Sequence, residues 1–145
     1  MPFIWWDKTL TIYNKFEDPQ TDVVTWYKTV VTNCFWKDVR NKVTIGDVTI
    51  DANQIIARIP QNSKFMEKYD WNKVPNDQKS NYFTLAQGDM IVKGDIDDDI
   101  DDYVNGSRST DILEKYKYLG IMLIDRVSVN VGPGRTEPHY YVAGN

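Results

Sequence analysis

Apolar and polar residues alternate along most of the chain, and a period of two predicts half-buried β-strands. Leu10, Ile12 and Asn14 alternate with Thr9, Thr11 and Tyr13. In the next run Val24, Trp26 and Val30 take one face, and Val23, Thr25, Tyr27, Thr29 and Val31 the other, so partial cover is expected on both. Asn33 marks an expected bend, after which Phe35, Lys37 and Val39 oppose Cys34, Trp36 and Asp38. Glu17-Asp18-Pro19-Gln20, between the runs, is turn chemistry, because Pro fixes φ and lacks a donor. The opening of the chain therefore reads as two long antiparallel strands, the second one bent.

Val43 and Ile45 precede Gly46-Asp47, and Val48 and Ile50 follow it, which predicts a tight hairpin. Gln54 to Ile59 reads as a short strand ended by Pro60. The stretch 61–81 is polar and irregular, with at most one helical turn around Lys64 to Tyr69. Phe83 and Leu85 resume the alternation, and Gly88-Asp89 turns the chain into Met90 to Lys93. One helix is predicted over 111–119. Thr110 is the expected N-cap, Ile112, Tyr116 and Leu119 form the apolar stripe, and Gly120 follows as the C′ residue. Ile121 to Val131 is the longest alternating run; Gly132-Pro133-Gly134-Arg135 forces a turn, and His139 to Val142 is a last strand. Seven or eight strands joined mostly by short turns predict a mainly β fold, a single small barrel or sandwich over residues 1–145.

Composition narrows the function classes. A chain of 145 residues suits one domain with a core that needs no staples. One Cys excludes an internal disulfide framework, and one His excludes a His-rich metal centre. The sequence pI near 4.9 argues against a dedicated nucleic-acid binder. The first ten residues hold Pro2, two Trp, Asp7 and Lys8 and do not read as a secretory signal; no apolar run is long enough to span a membrane. A soluble protein of a reducing compartment is expected, and the lone Cys34 agrees. The charge is uneven. Asp95, Asp97, Asp98, Asp99, Asp101 and Asp102 lie within eight residues, and without them the net charge of −4 becomes +2.

Each pattern that suggests chemistry has a plainer competitor. The acidic run fails the EF-hand template, with Asp102 where Gly is needed and Arg108 where a bidentate Glu is needed. An irregular cation site, a solvated loop, and an acidic lining or contact surface remain as readings of it. His139 has no nearby nucleophile in a recognisable arrangement and reads as an edge-strand residue bonded to backbone. Cys34, in an aromatic strand, reads as a packed, inert thiol. Trp26 and Trp36 read as core, whereas Trp5, Trp6 and Trp71 lack core periodicity and are, with Phe65, candidate interface residues. Lys37, Arg40 and Lys42 form a small basic patch, too small alone for nucleic-acid binding.

The order of motifs is informative beyond its periodicity. Leu10-Thr11-Ile12-Tyr13-Asn14-Lys15-Phe16 is followed by Val24-Thr25-Trp26-Tyr27-Lys28 and Cys34-Phe35-Trp36-Lys37-Asp38-Val39. Then come Ile56-Ala57-Arg58-Ile59-Pro60, the segment from Phe83 to Gly94, and Pro138-His139-Tyr140-Tyr141-Val142. This series resembles the small head–tail connector proteins of tailed bacteriophages, and within them the head-closure or stopper type. The resemblance implies a β-barrel subunit in a homo-oligomeric ring, with portal and adaptor above and tail terminator and tube below. It also implies a place in the virion neck after assembly in the host cytoplasm, only non-specific channel contact with packaged DNA, and no membrane. It implies no catalytic residue, metal or cofactor. The segment 61–81 and the acidic run depart from shorter members. On this basis Asp95 to Asp102 is expected to face the channel or a neighbouring subunit, and 61–81 to dock on an adjacent subunit or ring.

Two other readings stay open. A tail terminator or another neck protein belongs to the same class. A monomeric β-sandwich binding glycans through exposed Trp belongs to a different one. An enzyme is not expected, because no spacing assembles a nucleophile, a base and a group to orient it.

Overall fold

The computed structural model describes residues 6–100, 108–130 and 139–144. Six strands form the framework: β1 (Lys8–Glu17), β2 (Val24–Ile45), β3 (Val48–Pro60), β4 (Met90–Lys93), β5 (Ile121–Asn130) and β6 (His139–Gly144). Two short helices, α1 (Lys68–Trp71) and α2 (Ser109–Lys115), lie in the connections. The strands close into an antiparallel barrel in the order β1-β2-β3-β6-β5-β4.

The expected bend at Asn33 is where β2 changes partners. Asn33 has φ of 57°, the left-handed conformation that Asn tolerates better than most residues. The β1–β2 register shifts there, between Lys8↔Cys34 and Leu10↔Val31. Before the bulge β2 pairs with β1; beyond it, from Phe35 onward, β2 pairs with β3. A bulge of this kind turns a strand through a barrel corner.

Among the described residues six strands stand where seven or eight are expected. No Gly or Pro interrupts 35–45 or 48–59, so the short strands expected around Val43 and Gln54 are the ends of β2 and β3. Gly46, with φ of 62°, makes the turn between them, as expected. Phe83 forms only an isolated bridge, with Phe65. The helix is also shorter than expected. It starts at Ser109, one residue before the expected cap, and ends at Lys115, leaving Leu119 exposed. Arg108 is the N-cap residue, and its backbone N–H donates to the Asp111 carboxylate at 3.1 Å. Gly120, with φ of 130°, follows a turn later; a Cβ there would lie 3.3 Å from the Trp36 ring. The expected turn at 132–135 lies outside the described residues.

Two apolar clusters hold the fold. Leu10, Ile12, Ile59, Phe83, Ile91, Met122, Ile124 and Val142 are among those that fill the barrel. Tyr13, Met90, Val92 and Ile121 lie in a second cluster with Ile96, Ile100 and Ile112. Alternation assigns these two sets from β1, β4 and β5 to opposite sides of the sheet. The sheet is thus apolar on both faces there, and residues of 95–100 and 108–116 cover the outer one. The acidic run is therefore part of a second core: Ile96 and Ile100 are buried while Asp95, Asp97 and Asp99 are exposed. Replacing Ile96 by Ala should cost about 2 kcal/mol in urea unfolding. Asp97→Asn, on the solvent side of the same segment, should change stability by less than about 0.5 kcal/mol.

Candidate functional site

Three features carry the polar and exposed chemistry of the molecule. The first is a projecting ribbon. Pairing with β1 stops at Cys34, and pairing with β6 stops at Ile55. From Val39↔Gln54 to Ile45↔Val48 the β2–β3 hairpin therefore has no further strand on either side among the described residues. These seven pairs extend roughly 20 Å beyond the barrel. At the tip Ile45 is 65% and Val48 60% exposed. Two-stranded ribbons with free edges are marginal in water and offer unpaired N–H and C=O groups to another chain.

The second feature is the acidic segment. Asp98 accepts hydrogen bonds from Lys115 Nζ at 2.9 Å and from the Tyr116 hydroxyl. Those two donors hold its carboxyl below the usual carboxylate range, the Tyr116 bond most strongly. The Tyr13 hydroxyl donates to the Asp98 carbonyl at 2.5 Å. Lys28 donates to the Asp97 carbonyl at 3.3 Å and lies 3.7 Å from an Asp99 oxygen. The segment is pinned to β1, β2 and the end of α2, which the bare charge pattern does not predict. Asp95, Asp97 and Asp99 remain exposed; Asp101 and Asp102 lie outside the described residues. Among the described residues no group of three or more His, Cys, Asp or Glu is arranged to hold a metal ion.

The third feature is a buried polar node beside an open cleft. Asp89 is 1% exposed. Its carboxylate accepts from the Lys15 backbone N–H at 2.9 Å, from Asn14 Nδ2 at 3.0 Å and from the Ala86 N–H at 3.2 Å. Burial raises its pKa, and these bonds with the nearby Lys68 charge oppose the rise. Asn14 also donates to the Thr84 carbonyl at 2.5 Å and accepts from the Thr84 N–H at 3.3 Å. Lys68 donates to the Lys15 carbonyl at 2.6 Å and lies 4.7 Å over the Trp71 ring. Lys15, Glu17, Lys68, Asn72, Gln87, Gly88 and Asp89 line a cleft of about 290 Å³ at this node.

The aromatic candidates fall differently from expectation. Trp71 is fully buried, edge-on to Phe16 and Tyr27, with the buried Lys79 ammonium 5.4 Å from its ring. Trp6 is also buried, edge-on to His139 at 5.3 Å. Both are corrected from exposed interface residues to packing residues. The segment 61–81 covers part of its own barrel, and the ring at Trp71 removes large apolar area from water. Phe65 is half-buried, stacked on Tyr140 at 4.1 Å and edge-on to Phe83 at 5.7 Å. Trp5 lies outside the described residues. His139 is not at an edge, since its strand pairs with both β3 and β5. Cys34 is packed as expected, and burial pushes its thiol up to about 12. Lys37 is exposed on β2 near the base of the ribbon. The side chains of Arg40 and Lys42 lie outside the described set.

The polar node was not legible in the sequence as a site. Its one signal is Asn14, a polar residue at the inward end of an apolar strand. Asn14→Ala would strip a donor from the buried carboxylate and both partners from Thr84. It should cost about 3 kcal/mol in chemical denaturation, well above an ordinary surface change.

No helix among the described residues is long and apolar enough to cross a membrane. No curated protein matches the chain, and no solved structure does. The family described as "Family of unknown function (DUF6751)" matches residues 5–145. With nearly its whole length matched, the chain belongs to the DUF6751 family.

Proposed function

We propose that the chain is a structural subunit of the neck of a tailed bacteriophage, of the head-closure type. Copies form a ring between portal and adaptor above and tail terminator and tube below, closing the head and joining it to the tail. The observation that carries the reading is the β2–β3 ribbon, whose two edges have no partner strand among the described residues and whose tip is aliphatic and exposed, on an otherwise closed barrel. A closed barrel removes strand edges, whereas the described residues leave two edges of this ribbon unpaired. A second copy of the chain is the partner that completes them, since a ring repeats one heterologous contact around its axis. The order of sequence motifs supplies the phage assignment.

The acidic segment has a defined part in this reading. Asp95, Asp97 and Asp99 point to solvent from a segment fixed by its isoleucines and by Asp98. A firmly held row of carboxylates facing the channel or a neighbouring subunit repels the phosphate backbone, so that DNA passes without being gripped. Burial of Trp6 and Trp71 takes two of the three expected stacking platforms away from the glycan-binding alternative.

Deleting the coding sequence from the phage genome that carries it tests the proposal. The expected result is tailless heads that lose packaged DNA, accumulating beside free tails, with normal particles restored when the protein is supplied. Normal tailed, DNA-filled particles in its absence would overturn the assignment.

A further inference from the structure

The cleft at the polar node holds two ammonium groups that the protein does not neutralise by direct contact. Lys15 projects from β1, exposed, and among the described residues no acceptor contacts its Nζ. Lys68 spends one N–H on the Lys15 carbonyl. Neither forms an ion pair within 4 Å with Glu17 or Asp89, although all four residues line the same cleft. The Asp89 carboxylate is instead taken up by three N–H donors from Asn14, Lys15 and Ala86. A third ammonium, Lys79, is not part of the lining; it is held by the carbonyls of Val74 and of the lining residue Asn72 and set 4.3 Å over the Phe16 ring. Burial lowers the pKa of Lys68, the Asp89 charge opposes that fall and Lys15 adds to it, while burial and the Lys68 charge together lower that of Lys79.

We propose that this cleft is a binding site for a carboxylate, held by the ammonium groups of Lys15 and Lys68 with the Asn72 and Gln87 amides at its rim. Charge selects the ligand. The lining is neutral overall, two lysines against Glu17 and Asp89, so a bound monoanion leaves one uncompensated charge and a dianion two. Two lysines also match a carboxylate's two oxygens, and charge-assisted bonds of this type are the stronger kind. The cleft is small by the standard of ligand pockets, which suits a side-chain-sized acid. The carboxylate is either a free small acid or an aspartate of a protein segment. The inference does not depend on the neck assignment.

Titration of the isotopically labelled full chain at constant ionic strength tests it, followed by backbone amide shifts. The probes are acetate, inorganic phosphate, and a synthetic peptide of residues 95–102, with chloride as the background salt. Saturable shifts at Lys15, Gln87 and Gly88 with acetate are expected, weakened about tenfold or more in Lys15→Met, which keeps the aliphatic stem. Lys15→Met should retain the unliganded amide spectrum away from the cleft, which separates lost binding from lost folding. Tighter binding of the peptide than of acetate identifies a protein segment as the source, and equal or weaker binding identifies a free acid. No saturable shift with either, an unchanged affinity in Lys15→Met, or phosphate dianion binding more tightly than acetate overturns the proposal.

Discussion

Only four residues long, β4 is hydrogen-bonded to β1 on one side and β5 on the other, and this double pairing turns an open sheet into a barrel. Such a short strand has little pairing of its own to hold it in place. Its position is set from its N-terminal side by Asp89, whose carboxylate collects N–H groups from β1 and from its own turn. The Asp89 backbone adds a second tie, accepting from the Ile124 N–H at 2.8 Å. A buried carboxylate is costly unless fully bonded, so it tolerates few alternative positions of the strand that follows. Closure in turn creates the next requirement. Met90 and Val92 face outward from β4, and the isoleucines of the acidic segment cover them. The segment is therefore held by apolar burial, with Asp98 and its donors fixing its course.

The ribbon is the counterpart of this closed part. β2 spans 22 residues and β3 13, while β1 and β6 span 10 and 6. Among the described residues no strand pairs with the excess length. The same hairpin is thus a structural wall at its base and an arm with free edges at its tip, and the Asn33 bulge aims it. The carboxylate cleft lies at the β1 polar node, built from β1, the connection carrying α1, and the turn before β4.

Much of this architecture was legible in the residues. Period-two alternation predicts the strands, Asn33 the bend, Gly46-Asp47 the hairpin turn, and the aromatic context of Cys34 its burial. The failures have physical causes. Strand counting broke where no Gly or Pro marks an end, because the boundary between barrel and ribbon is set by where β1 and β6 stop. Trp71 looked available because its neighbours are polar and irregular; its burial depends on Phe16 and Tyr27, distant in sequence. The acidic run looked like a free loop because its carboxylates outnumber its isoleucines, although Ile96 and Ile100 decide where it lies. The lysine cleft was invisible because Lys15 and Lys68 come from separate elements.

The barrel, the arm and the pinned acidic segment support one account: a rigid subunit whose unfinished edges are completed by another copy. Backbone hydrogen exchange across the ribbon, followed over a protein-concentration series alongside the mass of the assembly, tests that account most directly. The account predicts that amides in 39–45 and 48–54 exchange quickly in the monomer and become protected in step with assembly, while barrel amides such as those of β1 stay protected throughout. Ribbon amides that remain unprotected in the assembled state would contradict it.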